Sequence, residues 1–212
     1  KVVGNTLLTQ AQIDETAHPF IGKELNLSTI NDLMNALTQA YRSRGFFLAR
    51  AYVPEQEIKN GEVVVAVVEG KIGELSITGN EYYLTSFFQK HFPNIKTPEG
   101  SRIDLIKQSV LVLNRYPDLQ ADLIFRPGNA LITTDLQLVV KDTQPVHLAV
   151  DYNNFGSKAI SRDRFGMTFS AGNLFDEGHL FYILGVTGYP TRSICYIRGT
   201  YMIPLSYQVD QI

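Results

Sequence analysis

Part of this chain is written twice, and no other feature of the sequence restricts its fold as much. Gly4-Asn5 recurs as Gly79-Asn80, seventy-five positions on, and Pro54, Glu62, Val63, Val65, Val67 and Glu69 recur as Pro127, Asp135, Leu136, Leu138, Val140 and Asp142 at an offset of seventy-three. Self-similarity at a fixed period is the mark of one supersecondary unit used more than once. Each copy is close to the smallest size that folds on its own core.

The first copy reads as strand, helix, helix, strand, strand. A short helix starts at the capping-box pattern Thr9-Gln10-Ala11-Gln12 and is limited by Pro19 or Gly22. From Ser28 to Arg44, Ile30, Leu33, Met34, Leu37, Ala40 and Tyr41 fall on one apolar helix face, with Ser28 or Thr29 as the cap and Gly45 as the stop. Phe47 to Val53 and Val63 to Val68 are β-branched and aromatic runs, read as two antiparallel strands joined by Pro54 to Gly61. In the second copy a short helix near Thr85 to His91 and a longer one carrying Ile103, Ile106, Val110 and Leu113 precede strands near Gln120 to Arg126 and Thr134 to Lys141.

Beyond Pro145 the composition changes. Thirty charged residues lie in 1–145 and ten in 146–212, whereas eleven of the Phe and Tyr residues fall in the latter part. Four strands of about ten residues are expected there, at 146–155, 162–172, 178–188 and 193–203, long enough to span a bilayer when tilted. Phe165, Met167, Phe169 and Ala171 alternate with Arg164, Gly166, Thr168 and Ser170, while Leu180, Tyr182, Leu184 and Val186 share one face of the next strand. A soluble sandwich alternates in the same way and on pattern alone is the commoner outcome.

The remaining features mostly exclude functions. A net charge of −2 and a pI near 6.1 give no field to hold a polyanion, so no nucleic-acid partner is expected. The longest clean apolar run, Val63 to Val68, is too short for a membrane helix. The opening residues Lys1 to Thr6 lack a leader's pattern, so the chain is expected to start inside folded structure. His18, His91, His147 and His179 are isolated, Cys195 is single, and Asp151 to Gly156 lacks the ligands of a calcium loop. Without a nucleophile elbow, phosphate loop or dinucleotide fingerprint, the reading names no catalytic residue, metal, cofactor or small-molecule substrate. Asn26-Leu27-Ser28, a glycosylation pattern, is read as a helix start.

Four blocks then carry a family resemblance. They are Tyr41 to Gln56; Gly61 with Val67-Val68-Glu69-Gly70-Lys71-Ile72; Tyr116-Pro117-Asp118-Leu119 through Arg126-Pro127-Gly128 to Thr133-Thr134-Asp135-Leu136; and Val150 to Ser157 with Arg164 and Gly172 to Gly178. In this order they resemble the outer-membrane transporters of two-partner secretion, the TpsB branch of the Omp85 superfamily. The resemblance implies an α+β fold of two tandem POTRA domains, β-α-α-β-β, at 1–74 and 75–144. At 145–212 it implies the first antiparallel strands of a transmembrane β-barrel, an incomplete one because four strands cannot close. It further implies a monomer in the bacterial outer membrane, with the POTRA domains in the periplasm. Its partners would be membrane lipid and an unfolded secreted exoprotein of adhesin or haemolysin type. An Omp85-type assembly factor and a soluble periplasmic scaffold ending in a sandwich are the alternatives.

Two sets of site residues follow from that picture. In POTRA-like modules the strand after the second helix is an edge, and an edge can take up an extended chain by main-chain bonding. The expected cargo-binding residues are therefore Phe47, Ala49, Arg50, Ala51, Tyr52 and Val53, with Ala121, Asp122, Leu123, Ile124, Phe125 and Arg126. The expected lipid-facing residues are Phe165, Met167, Phe169, Leu180, Tyr182 and Leu184.

Overall fold

A computed structural model describes residues 1–24, 26–58, 61–98, 101–189 and 194–205. Helix α1, Gln10–Ala17, begins with the expected capping box: Thr9 accepts from the Gln12 amide and the Gln12 side chain accepts from the Thr9 amide. A single 3-10 turn, His18–Phe20, follows it. Helix α2, Leu27–Arg42, is capped by Asn26 instead of Ser28 or Thr29, because the extended Asn26 sets its Oδ1 2.8 Å from the Thr29 amide. Asn26-Leu27-Ser28 is accordingly a helix start. Leu37 and Tyr41 are fully buried on the apolar face, and Ile30, Leu33, Met34 and Ala40 pack against the same core.

The first sheet has the order β1-β3-β2, with β1 at Val2–Val3, β2 at Ala49–Tyr52 and β3 at Val65–Glu69. β3 is central, parallel to β1 and antiparallel to β2. Both later strands are shorter than their apolar runs. The Ala49 amide closes a turn on the Phe46 carbonyl, so the chain is still bending at Phe47. At Val64 both main-chain groups are taken by the Gln56 carboxamide, at 2.8 Å each, ahead of the regular ladder.

The second sheet repeats the topology as β4-β6-β5, with β4 at Lys71–Thr78, β5 at Leu119–Pro127 and β6 at Thr133–Asp142. Helices α3, Thr85–Lys90, and α4, Ile103–Leu113, lie between β4 and β5 in the chain. The repeated residues have matching roles. Gly4 and Gly79 adopt φ +85° and +89°, and a Cβ on either would strike the carbonyl oxygen of Val67 or Val140, at 2.6 and 2.2 Å. Asn5 and Asn80 each donate to the carbonyl three residues on. Glu69 accepts from the Thr6 and Leu7 amides at 2.7 and 2.9 Å, from the Thr6 hydroxyl, and from the Tyr41 hydroxyl at 2.9 Å. Asp142 accepts from the amides of Glu81, Tyr82 and Tyr83, each at 2.9 Å.

Backbone contacts divide the chain into two compact units, one of Lys1–Ser76, Phe92–Gln108 and Leu123–Leu138, the other of Ile77–His91, Ser109–Asp122 and Val139–Ile212. In the first, the Ile103 amide bonds the Gly45 carbonyl at 3.0 Å. The second holds an aromatic core in which Phe87 touches Tyr83, Phe88, His91 and Tyr116. It also holds the third sheet, order β10-β9-β8-β7, entirely antiparallel: β7 Val146–Asn153, β8 Asp163–Leu174, β9 His179–Tyr189 and β10 Cys195–Met202. This sheet is single and open, and among the described residues no second sheet covers it as a sandwich requires.

Leu37→Asp should unfold the first module, since an unpaired charge in a fully buried site costs several kcal/mol against a total of about 5–15. Loss of the cooperative circular-dichroism melt is expected.

One buried and one half-buried group also make the fold acid-sensitive. Burial pushes the His91 imidazole below its usual pKa, assisted by the Lys90 charge and opposed by the bond to the Phe87 carbonyl. Burial of Glu69 works against its charged form, but the bonds from Leu7, Thr6 and Tyr41 outweigh it and hold the carboxyl below its usual range. Both folded pKa values are depressed, so the stability each confers is present at neutral pH and is lost on acidification. Thermal midpoints should fall first below about pH 6.5 and again below about pH 4.3. His91→Gln should flatten the first step and Glu69→Gln the second.

Candidate docking edges and membrane-type sheet

The residues expected to receive an extended chain lie on strands β2 and β5, and the strand orders place both at sheet edges. In β2, Arg50 and Tyr52 are exposed whereas Ala49 and Ala51 point into the core. Phe47 and Val53 flank the strand, and the Arg42 guanidinium lies 5.3 Å over the Phe47 ring. Between β2 and α2 runs a groove of about 710 Å³, lined by Asn31, Asn35, Thr38, Gln39 and Arg42 with Arg50 and Tyr52. It contains two guanidinium groups and no carboxylate, so it suits a neutral or acidic strand. In β5, Leu119 and Ala121 are buried, Leu123 is half-buried, and Asp122, Ile124, Phe125 and Arg126 are exposed.

The edge groups are not equally free. The Ala51 amide donates to the Thr38 hydroxyl at 3.1 Å. Ala121 is held at both ends, its amide by Asn114 Oδ1 at 2.8 Å and its carbonyl by Asn114 Nδ2 at 2.9 Å. Sequence reading found the strands but missed Thr38 and Asn114. Asn114, a polar residue five positions ahead of β5, was the nearest thing to a signal, whereas Thr38 lies eleven positions ahead of β2.

The third sheet separates its side chains cleanly. Register pairs Leu148 with Phe169, Val150 with Met167 and Tyr152 with Phe165, and continues Phe169 to Ile183 and Met167 to Gly185 to Ile197. These residues share one apolar face, on which Leu148, Val150 and Ile197 are 67, 73 and 73% exposed. His147, Asp151, Arg164 and Arg198 occupy the opposite face, where Asp151 lies over Gly166.

The register corrects one expectation. Leu184 pairs with Thr168, Tyr182 with Ser170 and Leu180 with Met202, so these three lie on the charged face, opposite Phe165, Met167 and Phe169. Leu180 also lines a cavity of about 250 Å³ with Tyr83, Tyr116 and Met202. Each strand's own alternation was legible, but the phase between strands depends on the turn. Cys195 is exposed at the start of β10, on the apolar face, and not packed in a core.

The β8–β9 turn meets the second module through charged groups. Ser86 Oγ donates to Asp176 Oδ2 at 2.8 Å, and Lys90 Nζ reaches Glu177 Oε1 at 2.6 Å and the Asp176 carbonyl at 3.2 Å. Asn173, Phe175, Asp176 and Gly178 all have positive φ. His147 bonds the nearly buried Asp118 at 2.6 Å. None of these pairs was anticipated, although Asp118 and Gly172 to Gly178 fall inside the blocks that carried the resemblance.

Comparison with known proteins agrees with this architecture. Residues 1–70 match the family "POTRA domain, ShlB-type". The chain is 29% identical over 186 residues to the heme/hemopexin transporter protein HuxB of Haemophilus influenzae (strain 86-028NP), covering 81% of this chain and 33% of HuxB. It is 25% identical over 186 residues to the outer membrane transporter CdiB of Escherichia coli, covering 87% and 31%. The solved structure of CdiB from Escherichia coli superposes with a TM-score of 0.77 at 22% identity over 94% of this chain and 37% of CdiB, and that of CdiB from Acinetobacter baumannii with 0.61 at 13% over 97% and 41%. The chain thus shares the fold of the corresponding part of CdiB. By sequence it resembles the transporters HuxB and CdiB over about four fifths of its length. It spans about a third of the length of these curated relatives.

Gly178 sets how closely the β8–β9 turn can lie on Tyr116, because a Cβ there would stand 2.5 Å from the hydroxyl in a left-handed conformation. Gly178→Val should destabilise the chain by about 1–3 kcal/mol, read as a lowered melting temperature, whereas Lys158→Val in the exposed β7–β8 loop should not.

Proposed function

We propose that the chain is the periplasmic part and first barrel strands of an outer-membrane translocator of two-partner secretion. Its tandem POTRA domains, at 1–74 and 75–144, bind an unfolded exoprotein and hand it to a β-barrel that starts at 145. Strand β4, Lys71–Thr78, runs across the boundary at 74. The observation that carries the reading is the open antiparallel sheet with one apolar and one charged face, following two modules of the POTRA order. Strands of eight to twelve residues suit a tilted bilayer crossing, and an apolar face exposed across four strands is rare on a soluble monomer. With the register corrected, the lipid-facing set is Phe165, Met167 and Phe169 with Leu148, Val150, Ile183 and Ile197. Leu180, Tyr182 and Leu184 belong to the lumen side. The chain then works by transport and not by catalysis, as HuxB and CdiB are named transporters.

Cargo docks by strand addition. A polypeptide in transit offers unpaired main-chain groups, and the β2 and β5 edges can pair them while alternate side chains enter the groove beside α2. Two measurements in the full-length protein test the two halves of this reading. Phe169→Arg should cost about 2–4 kcal/mol near the bilayer midplane and impair insertion, whereas Thr168→Arg on the lumen face should insert normally. Equal tolerance at the two positions would remove the barrel. Ala51→Pro with Leu123→Pro removes one outward main-chain donor from each edge, and secretion of the cognate exoprotein should drop at least tenfold with the modules still folded. Wild-type secretion by the folded double variant would overturn edge docking.

A further inference from the structure

Two side-chain amides in this chain stand where a neighbouring strand would. The Gln56 carboxamide closes on both main-chain groups of Val64, and the Asn114 carboxamide on both main-chain groups of Ala121. A carboxamide presents an acceptor and donors in one plane, as a peptide unit does, so each pair forms the equivalent of one rung of a ladder. The Asn114 rung falls on the third residue of β5, an edge strand, and uses the groups that an added strand would have to pair. The third residue of β2, Ala51, is guarded differently, since the Thr38 hydroxyl takes its amide alone.

We propose that Asn114 is a resident occupant of the β5 edge, so that the two modules are not equivalent docking sites. An extended, uncharged or acidic segment adds to β2 in the resting chain and reaches the Ala121 part of β5 only once Asn114 swings away. At β2 an incoming strand replaces one neutral hydrogen bond, and the groove beside it offers Arg42 and Arg50 to an acidic side chain. At β5 the strand must replace two bonds made by a side chain already in register. The exchange there gains little until the next outward-facing residue, Leu123, is also paired. The inference rests on the edge-docking reading and says which edge acts first.

The test uses the full-length protein in detergent micelles, labelled with nitrogen-15 at alanine and titrated with a seven-residue capped peptide of alternating Thr and Val. In the unaltered chain the Ala51 amide signal should shift at a peptide concentration at least fivefold below that needed for Ala121. In Asn114→Ala the Ala121 signal should follow Ala51 closely. Asn114→Asp, which keeps the acceptor for the Ala121 amide but cannot donate to its carbonyl, should fall between the two and guards against misfolding of the alanine variant. Equal response of both amides in the unaltered chain, or a silent Ala121 in both folded variants, would overturn the inference and leave docking at β2 standing. Silence of both amides in every protein would overturn the docking reading with it.

Discussion

A carboxylate at the end of the central strand holds each module together. The loop behind the first strand must turn sharply away from the sheet, leaving its amides without a ladder. In the first module Glu69 collects the Thr6 and Leu7 amides, and in the second Asp142 collects those of Glu81, Tyr82 and Tyr83. Such charge-assisted bonds are stronger than neutral ones, and an orphaned amide buried in this loop would cost about 1–3 kcal/mol. The glycine two or three residues ahead completes the arrangement, since only a residue without Cβ lets the turn lie on the carbonyl of Val67 or Val140. Glycine, asparagine and acid therefore recur together because each is needed for the others to reach their places.

That dependence explains why the architecture was legible in the sequence. The repeat, the capping box at Thr9 and the helical stripe from Ile30 to Tyr41 are local patterns whose physics is complete within a few turns of chain. Element order and position followed from them to within a few residues. The losses came where a distant partner decides. Asn26 displaced Ser28 and Thr29 as the helix cap because its extended backbone aimed the side chain at the Thr29 amide. Gln56 removed Val64 from the regular ladder although Val64 has the highest class of strand propensity.

The edge strands show a similar division. That β2 and β5 would be edges follows from the order of elements. Which of their amides is free does not, because Thr38 and Asn114 sit thirteen and seven residues away from the alanines they bond. An unguarded sheet edge is a hazard as well as a tool, since any extended segment, including another copy of the same protein, can pair with it. A side chain that completes the edge from within, as Asn114 does at Ala121, lowers that risk at little conformational cost.

The third sheet separates what alternation determines from what register determines. Period-two alternation identifies two faces on every strand, but the choice of which face meets which across a hairpin belongs to the turn. In β8 the irregularity between Ala171 and Leu174 changes the count of residues before β9 begins, and the turn itself is built from Asn173, Phe175 and Asp176 in left-handed conformations with Gly178. A reading that carried the apolar set from Phe169 to Leu180, Tyr182 and Leu184 therefore crossed to the other side of the sheet. The same turn explains why that side tolerates Leu180: its acidic residues bind Ser86 and Lys90, and Leu180 lies against Tyr83 and Tyr116 around one cavity. At that end the charged face borders aromatic side chains of the second module, and Leu180 is half-buried among them.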